Sequence, residues 1–576
     1  MIGRQSAWRA GSVLLAASFI TLGTLPIVAH ATVVGRDAGS NSSKSSASSS
    51  AIQGQAVLVG TGNIASLAPA AGGSAKPMNM SRRANLGGKP ARNPVSAAVM
   101  PAITGAALSG NRTLLHNFDG VSDLDNANTT GYILAPPDQG LCVGRAAFEG
   151  GQEVVLEPVN ISFALYSTSG TELLGPLALS FLYQEPNFPT EFISDPRCQY
   201  DKATGDFFFT ILAFNPNGSE SHLDITVLHQ DGSLDTYRID TTDATGRGCP
   251  CFADQPLLGI DSQNLYISGN EFPISQPSPY FNGAEIFAIS KSQLAASVAA
   301  NYVEFPHISD GGILIETLQP AITNGSAPAE YFLHSFTVDA FGNNSSFDHR
   351  LGIFALTHQS AVTGGGTPTL SNPTILNSET YVQPNLAPEP NGYVLNPDDD
   401  RMQQVQYVNG NLYAALSTAV SIKNDATRTG IAWFQIRPSL KGSLTVNASI
   451  AHQGYVGAAG TYLLYPAIAQ GHNGIVEIGF SLSSTTRTPS AAYVTGTGSD
   501  VTGFGPIYVV ATGTGSYVDT FTCNGSAPPG CRWGDYSWAT IDPLTDELWF
   551  GAEYTPPLSR QISNANWGTR IFEVKA

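Results

Sequence analysis

From about residue 130 to the C-terminus one pattern recurs and leaves little freedom for the fold. It consists of a short polar or Pro-containing anchor, an apolar strand, a tight turn, and a second strand rich in Tyr, Phe, Leu and Ile. The anchors are Pro137-Asp138, Asp195-Pro196, Asp254-Gln255-Pro256, Gln319-Pro320, Met402-Gln403, Tyr465-Pro466 and Asp535-Tyr536, spaced 57 to 84 residues apart. Hairpin dipeptides stand at similar offsets, such as Thr204-Gly205 before Asp206-Phe207-Phe208-Phe209 and Asn409-Gly410 before Asn411-Leu412-Tyr413. Two-residue hairpins need residues of this kind, which tolerate positive φ. Further strand patterns at 222–228 and 283–289 fill out a unit of four antiparallel strands. A unit that small cannot bury its own faces, so the units must pack on one another around an axis. The pattern predicts an all-β fold, a seven-bladed β-propeller. Solenoid repeats are shorter than these, and a pair of sandwiches has no reason to repeat seven times. Residues 114–120, ahead of the first anchor, are placed to add a strand that closes the last blade.

Composition agrees with the repeat. The 576 residues include 59 Gly and 37 Pro, only 12% are charged, and 42% are apolar. So few Lys, Glu and Arg exclude coiled coils and helical solenoids. Six Cys are too few to build the fold by cross-linking, so packing must hold it.

The N-terminal portion reads differently. Arg4 and Arg9, an apolar run over 13–28 and the small-x-small triplet Ala29-His30-Ala31 predict a signal peptide over 1–31 and a mature chain from Thr32. Pro26 and the Ser-rich stretch that follows argue against a membrane anchor. Residues 32–110 are Ser, Ala and Gly with scattered Pro, a composition that predicts a disordered linker. This linker carries Arg36, Lys44, Lys76, Arg82, Arg83, Lys89 and Arg92 against Asp37 alone. The acidic excess of the whole chain, 45 Asp and Glu against 27 Lys and Arg, therefore falls on residues 111–576. A basic tether on an acidic body suits electrostatic contact with an anionic cell surface, or a solvated spacer; both readings stay open. Nucleic acid is excluded as a partner of such a body. The expected location is outside the cytoplasm: secreted, periplasmic or at the cell surface.

In a propeller the innermost strands start at one mouth of the central channel, so equivalent anchors gather there. That ring would contain Asp138, Asp195, Asp254 and Asp535. Converging carboxylates can hold Ca²⁺, which takes several oxygen ligands, or supply the acid and base of a glycosidase. An Asp beside a Pro can equally cap a turn. Arg197, Arg401 and Arg532 lie near the ring and can form a carboxylate or sulfate clamp, or pair with the neighbouring Asp. Glu271 and Glu553 end the second strands of two units, 17 and 18 residues past their anchors, and are the Glu candidates for a polar mouth. Tyr536, Trp533 and Tyr554 can stack on a sugar ring or pack in the core.

Export implies disulfides. Cys523 and Cys531, eight apart around Gly525, Pro528, Pro529 and Gly530, are expected to pair. Cys142, Cys198, Cys249 and Cys251 allow three connectivities, among them Cys198–Cys251 and Cys142–Cys198, either of which would staple neighbouring inner strands. Cys249-Pro250-Cys251 lacks zinc-ligand spacing, and no H-x₃₋₅-H companion accompanies it. No phosphate-binding G-x-x-x-x-G-K-[ST], H-E-x-x-H or G-x-S-x-G motif is present.

Five stretches resemble a group of secreted bacterial propellers similar to the sialidase superfamily. They are Pro136-Pro137-Asp138 through Cys142-Val143-Gly144, Val159-Asn160-Ile161-Ser162-Phe163-Ala164-Leu165-Tyr166, Ser194-Asp195-Pro196-Arg197-Cys198-Gln199-Tyr200-Asp201, Cys249-Pro250-Cys251-Phe252-Ala253-Asp254-Gln255-Pro256 and Arg532-Trp533-Gly534-Asp535-Tyr536-Ser537. The resemblance implies a propeller from about residue 114 onward. The sequence departs from working sialidases: it has no Ser-x-Asp-x-Gly-x-x-Trp repeat, and neither a Tyr/Glu nucleophile pair nor an arginine triad maps onto it. Fold alone does not assign activity. The expected function is binding of a glycan or other extracellular ligand at the channel mouth. The alternatives are a sialidase-like exo-acting glycoside hydrolase and a structural surface protein that displays loops to protein partners.

Overall fold

Local turn chemistry sets the strands. At Val408↔Asn411 the chain reverses through Asn409 (φ 50°) and Gly410 (φ 81°), both left-handed, and the strands Met402–Val408 and Asn411–Ile422 pair antiparallel on either side. A computed structural model describes residues 50–67, 76–77, 101–109 and 114–575, apart from 216–219, 244–245, 276–279, 324, 339, 497–502, 520–522, 524–529 and 563–564. The expected signal peptide over 1–31 and the tether cations Arg36, Lys44, Arg82, Arg83, Lys89 and Arg92 lie outside the described residues. Among those described, no helix is long and apolar enough to cross a membrane.

Antiparallel meanders follow one another along the chain. Sheet A comprises Cys142–Ala146, Gln152–Val159, Ser162–Ser167 and Glu172–Ala178. Sheet B comprises Phe192–Tyr200, Phe207–Phe214, Ser221–Leu228 and Ser233–Asp240. Sheet C comprises Cys251–Ile260, Asn264–Pro273, Ala284–Ser290 and Ala300–Asp310. Sheet D comprises Gln319–Thr323, Glu330–Ser335, Asp348–Thr357 and Thr374–Tyr381. Sheet E comprises Met402–Val408, Asn411–Ile422, Thr427–Leu440 and Val446–Val456. Sheet F comprises Tyr462–Gln470, Val476–Ser484, Arg487–Gly496 and Phe504–Ala511. Sheet G takes Trp538–Ile541, Leu548–Tyr554 and Gly568–Val574 from the C-terminal end, and its fourth strand, His116–Ser122, from ahead of sheet A.

The first strand of each sheet touches the first strand of the next, and that of G touches that of A, so the sheets close in a circle. Such a circle is a β-propeller. Joining the two ends of the ring in one sheet, with Arg570↔Asp119 and Phe572↔Asn117 in register, removes the free edge that an open array would present. Side chains of the inner strands, among them Val143, Leu258, Ile260, Ile322, Leu464 and Trp538, are buried in one shared cluster.

The anchors have a backbone cause. Asp195, Gln255 and Tyr465 are left-handed, at φ 58°, 51° and 53°, and each precedes a Pro. The ladder slips at each of these points, between Ser194 and Arg197, Asp254 and Leu257, and Leu464 and Ala467. Pro has no N–H to give the ladder, so pairing breaks and a bulge forms that re-aims the flanking side chains. Asp138 (φ 44°), Thr317 (φ 64°) and Gly534 (φ 54°) occupy like positions ahead of the first strands of A, D and G.

The linker expectation fails over part of 32–110. Ile52–Asn63 is a strand that pairs with the outer strand of C through Ile52–Ala56 and with the outer strand of B through Val57–Asn63. Ala102–Ile103 and Leu108–Ser109 also pair, with sheets E and F. Averaged composition hides Ala56-Val57-Leu58-Val59, a run of β-forming residues that needs only the open edges of B and C as partners.

Cys523 is bonded to Cys531, and Cys142 to Cys198. The Cys198–Cys251 bridge does not exist, because Cys251 is bonded to Cys249. Cys142 and Cys198 follow their anchor Asp by four and three residues, at one height on adjacent strands, with Cα atoms 5.4 Å apart. Cys251 precedes its anchor and sits at the other end of its strand.

Candidate functional site

Sheets G, A, B and C are consecutive around the circle, and each carries an Asp at its anchor. Asp138, Asp195, Asp254 and Asp535 all line one pocket, together with Arg532, Asn160, Ser194 and Gln255. Its apolar wall includes Phe192, Phe214, Phe252 and Leu212. The pocket encloses about 580 Å³ counting its open mouth.

Asn160 organises the acidic side. It stands in the turn between the second and third strands of sheet A, and its Nδ2 donates to Asp138 Oδ2 (2.6 Å) and to the Pro136 carbonyl (3.0 Å). Its Oδ1 accepts from the Asp195 backbone N–H (2.9 Å) and from Ser194 Oγ (3.2 Å). One amide thus ties the anchors of two blades together. Burial, reinforced by the negative charges of Asp535 and Asp195, holds the Asp138 carboxyl well above the usual carboxylate range, against the opposing pull of Arg532 and Asn160. Burial also raises Asp195, opposed most strongly by Arg197 and also by its hydrogen bond with Asp138.

The three arginines do not form a clamp. Arg197 is buried behind the carboxylates, its guanidinium 3.2 Å from the centre of the Tyr536 ring and 5.3 Å from that of Trp538. Burial pulls its pKa down to about 10, against the pull of Asp195, Asp138 and Asp535. Arg401 is spent on its own surroundings: it meets Asp399 (2.7 Å), Asp398 (3.0 Å), Glu316 (3.2 Å) and Gln255 Oε1 (2.8 Å). Only Arg532 lines the pocket. It donates to Asp535 Oδ2 (2.5 Å), and 31% of its side chain is exposed.

The expected stacking platform is also corrected. Tyr536 lies under Arg197 and donates to the Asp138 carbonyl (3.1 Å), Trp533 packs against Tyr517 with centroids 4.9 Å apart, and Tyr554 donates to Asp119. All three are buried and none lines the pocket. The aromatic wall comes instead from Phe192, Phe214 and Phe252, with Phe214 and Phe252 stacked at 4.8 Å. The anchor strand itself carried a signal for one of them, because Phe252 stands two residues before Asp254 and so shares its face. Asn160 had no such signal.

Glu271 and Glu553 do not line the pocket either. Glu553 is buried and accepts from the Gly534 N–H (2.6 Å); burial, then Asp123, Asp535 and Asp519, push its carboxyl well up. Glu271 lies by the Cys249–Cys251 bridge, raised to about 8 by burial and by Asp243. Ca²⁺ at the Asp ring stays an open expectation. Among the described residues, the sets of three whose ligand atoms lie within 4.8 Å of one another are elsewhere, and the ring Asp residues are not among them. A hard cation needs six to eight oxygens drawn close.

No family model matches this chain, and no curated protein does. Solved structures similar to it include the hemagglutinin-neuraminidase ectodomain of parainfluenza virus 5, at 9% identity and TM-score 0.34, covering 67% of this chain and 82% of that one. Trypanosoma rangeli sialidase in complex with sialic acid matches at 11% identity and TM-score 0.32, covering 66% of this chain and 54% of that one, about half its length. An endo-arabinanase from Bacillus licheniformis matches at 12% identity and TM-score 0.25, covering 57% and 96%. The fold assignment rests on the closed circle of sheets.

Proposed function

We propose that this protein is an exported, seven-bladed β-propeller that binds a glycan in the Asp138–Asp195–Asp254–Asp535 pocket. The observation that carries this reading is the composition of the pocket. Carboxyls and one arginine offer acceptors and donors to hydroxyl groups, and a wall of Phe offers an apolar face to the C–H side of a sugar ring. Three disulfides suit an oxidising compartment. The signal peptide over 1–31 and contact of the basic linker with an anionic surface belong to the same reading. The test is a glycan array probed with the chain from Thr32 onward. Binding of at least one glycan by the wild type is expected, and silence across the array contradicts it.

A second reading, exo-acting glycoside hydrolysis of the sialidase type, is favoured by one observation. Asp138 holds its proton above the usual carboxylate range beside further carboxylates, as a general acid requires. Mass analysis of any array hit after incubation separates the readings: an intact ligand supports binding alone, and cleavage that Asp138→Asn abolishes supports hydrolysis.

A further inference from the structure

Away from the pocket, Asp243, Glu271 and His307 meet where the end of sheet B reaches sheet C. We propose that these three residues form a solvent-open Zn²⁺ site. Each offers one ligand atom, and these atoms all lie within 4.8 Å of one another. Small side-chain rotations close such a span onto an ion with bonds of about 2.0–2.2 Å.

Glu271 supplies the independent sign of a missing ligand. It lies on the second strand of sheet C and is 1% exposed. Its Oε1 accepts from Asn282 Nδ2 at 3.0 Å. Its Oε2 is buried and receives no hydrogen bond, although His307 Nδ1 stands only 3.1 Å away. A buried oxygen left in this state costs stability unless a donor or a cation meets it.

His307 comes from the last strand of sheet C at a point where the ladder slips, opposite the step between Ala284 and Ile286. Its backbone is left-handed there (φ 54°), and its Nε2 lies 3.6 Å from Asp243 Oδ2. Asp243 is itself fixed by backbone contacts. Its carbonyl accepts from the Cys251 N–H (3.0 Å), and its Oδ2 accepts from the Gly246 N–H (3.1 Å). His307 and Asp243 have side chains 37% and 22% exposed, so an ion can enter and water can complete its shell. Glu285 and Glu304, on the third and fourth strands of the same sheet, stand near the trio.

The donor set selects the metal. One imidazole and two carboxylates with an open position suit Zn²⁺, whereas Ca²⁺ wants an all-oxygen shell. The sulfurs of Cys249 and Cys251 are bonded to each other, so they stay outside the ligand set even though Cys249 Sγ is 3.5 Å from Glu271 Oε1. No spacing rule could have shown this site, because its residues come from three separate strands and turns.

The test is calorimetric titration of the full chain, stripped with chelator, against ZnCl₂ at pH 7. Wild type should bind one Zn²⁺, and His307→Ala, Glu271→Gln and Asp243→Asn should each weaken that binding tenfold or more. Melting curves of the metal-free variants report whether each is folded. Should a variant fail to fold, the wild type still decides: Zn²⁺ should raise its Tm and chelator should reverse the rise. Absence of saturable Zn²⁺ binding, binding unchanged in the folded variants, no Zn²⁺-dependent Tm shift, or tighter binding of Ca²⁺ in the same titration would each overturn the proposal.

Discussion

Two arginine centres of the same propeller differ in how their charges are compensated. Around Arg401, three carboxylates and the Gln255 amide all face one guanidinium, which is buried and whose pKa these charges raise. Around Arg532 the balance is reversed: four Asp line the pocket, two of them raised, and the one cation that reaches it is partly exposed. The backbone device is similar on both sides, with left-handed residues at Asp398 and at Asp138 and Asp195. What differs is compensation. The carboxylates around Arg401 converge on one buried guanidinium, whereas those of the pocket face the buried Arg197 on one side and the partly exposed Arg532 on the other.

The largest expected effect breaks the compensated side. Arg401→Met strands Asp398, Asp399 and Glu316 in a buried place and should cost about 3–5 kcal/mol of stability, measured by urea denaturation. A loss under about 1 kcal/mol would erase the contrast. Next, Cys142→Ser with Cys198→Ser removes the bridge between sheets A and B beside the pocket, which closes a loop of 56 residues. It should cost about 2–4 kcal/mol in the same assay.

These contrasts were only partly legible in the sequence. The anchors at Asp195 and Gln255 were readable because a residue before a Pro interrupts a strand through local chemistry, and the recurrence of the pattern along the chain let Asp138, Asp254 and Asp535 be named beside Asp195. Their compensation was not readable, since Arg401 finds Glu316 from 85 residues away and Gln255 from 146. The strand Ile52–Asn63 was missed for the same reason: its partners lie in Ser233–Asp240 and Ala300–Asp310. Tyr536, Trp533 and Tyr554 have the right chemistry for a sugar, but burial depends on packing that no local pattern encodes.

A pH series sharpens the comparison. Burial raises Glu271 to about 8 and Glu157 and Glu389 to about 7, and raises Asp138 as well. The folded state therefore binds protons that the unfolded chain, with carboxyl pKa values near 4, has already released. Stability should rise as pH falls from about 8 towards 5, and fall again as pH climbs through these values. A melting midpoint that drops steadily over that acidification would contradict this.

The smallest effect expected is that of Asp138→Asn. Asn160 can still hold the new side chain, and a charge that the pocket disfavours is gone, so the Tm at pH 7 should stay level or rise slightly while the pH dependence flattens. Asp399→Asn, on the compensated side, should instead lower the Tm at pH 7.

The most direct test of the central claim is to measure glycan binding by wild type and by Arg532→Ala in the same calorimetric assay. Arg532 is the one arginine of the three that reaches the pocket, and because its partner Asp535 is buried the variant should also lose stability, so its Tm is measured alongside to confirm that it is folded at the assay temperature. The account predicts binding about tenfold weaker or more in the folded variant. Equal affinity in the two proteins would contradict it.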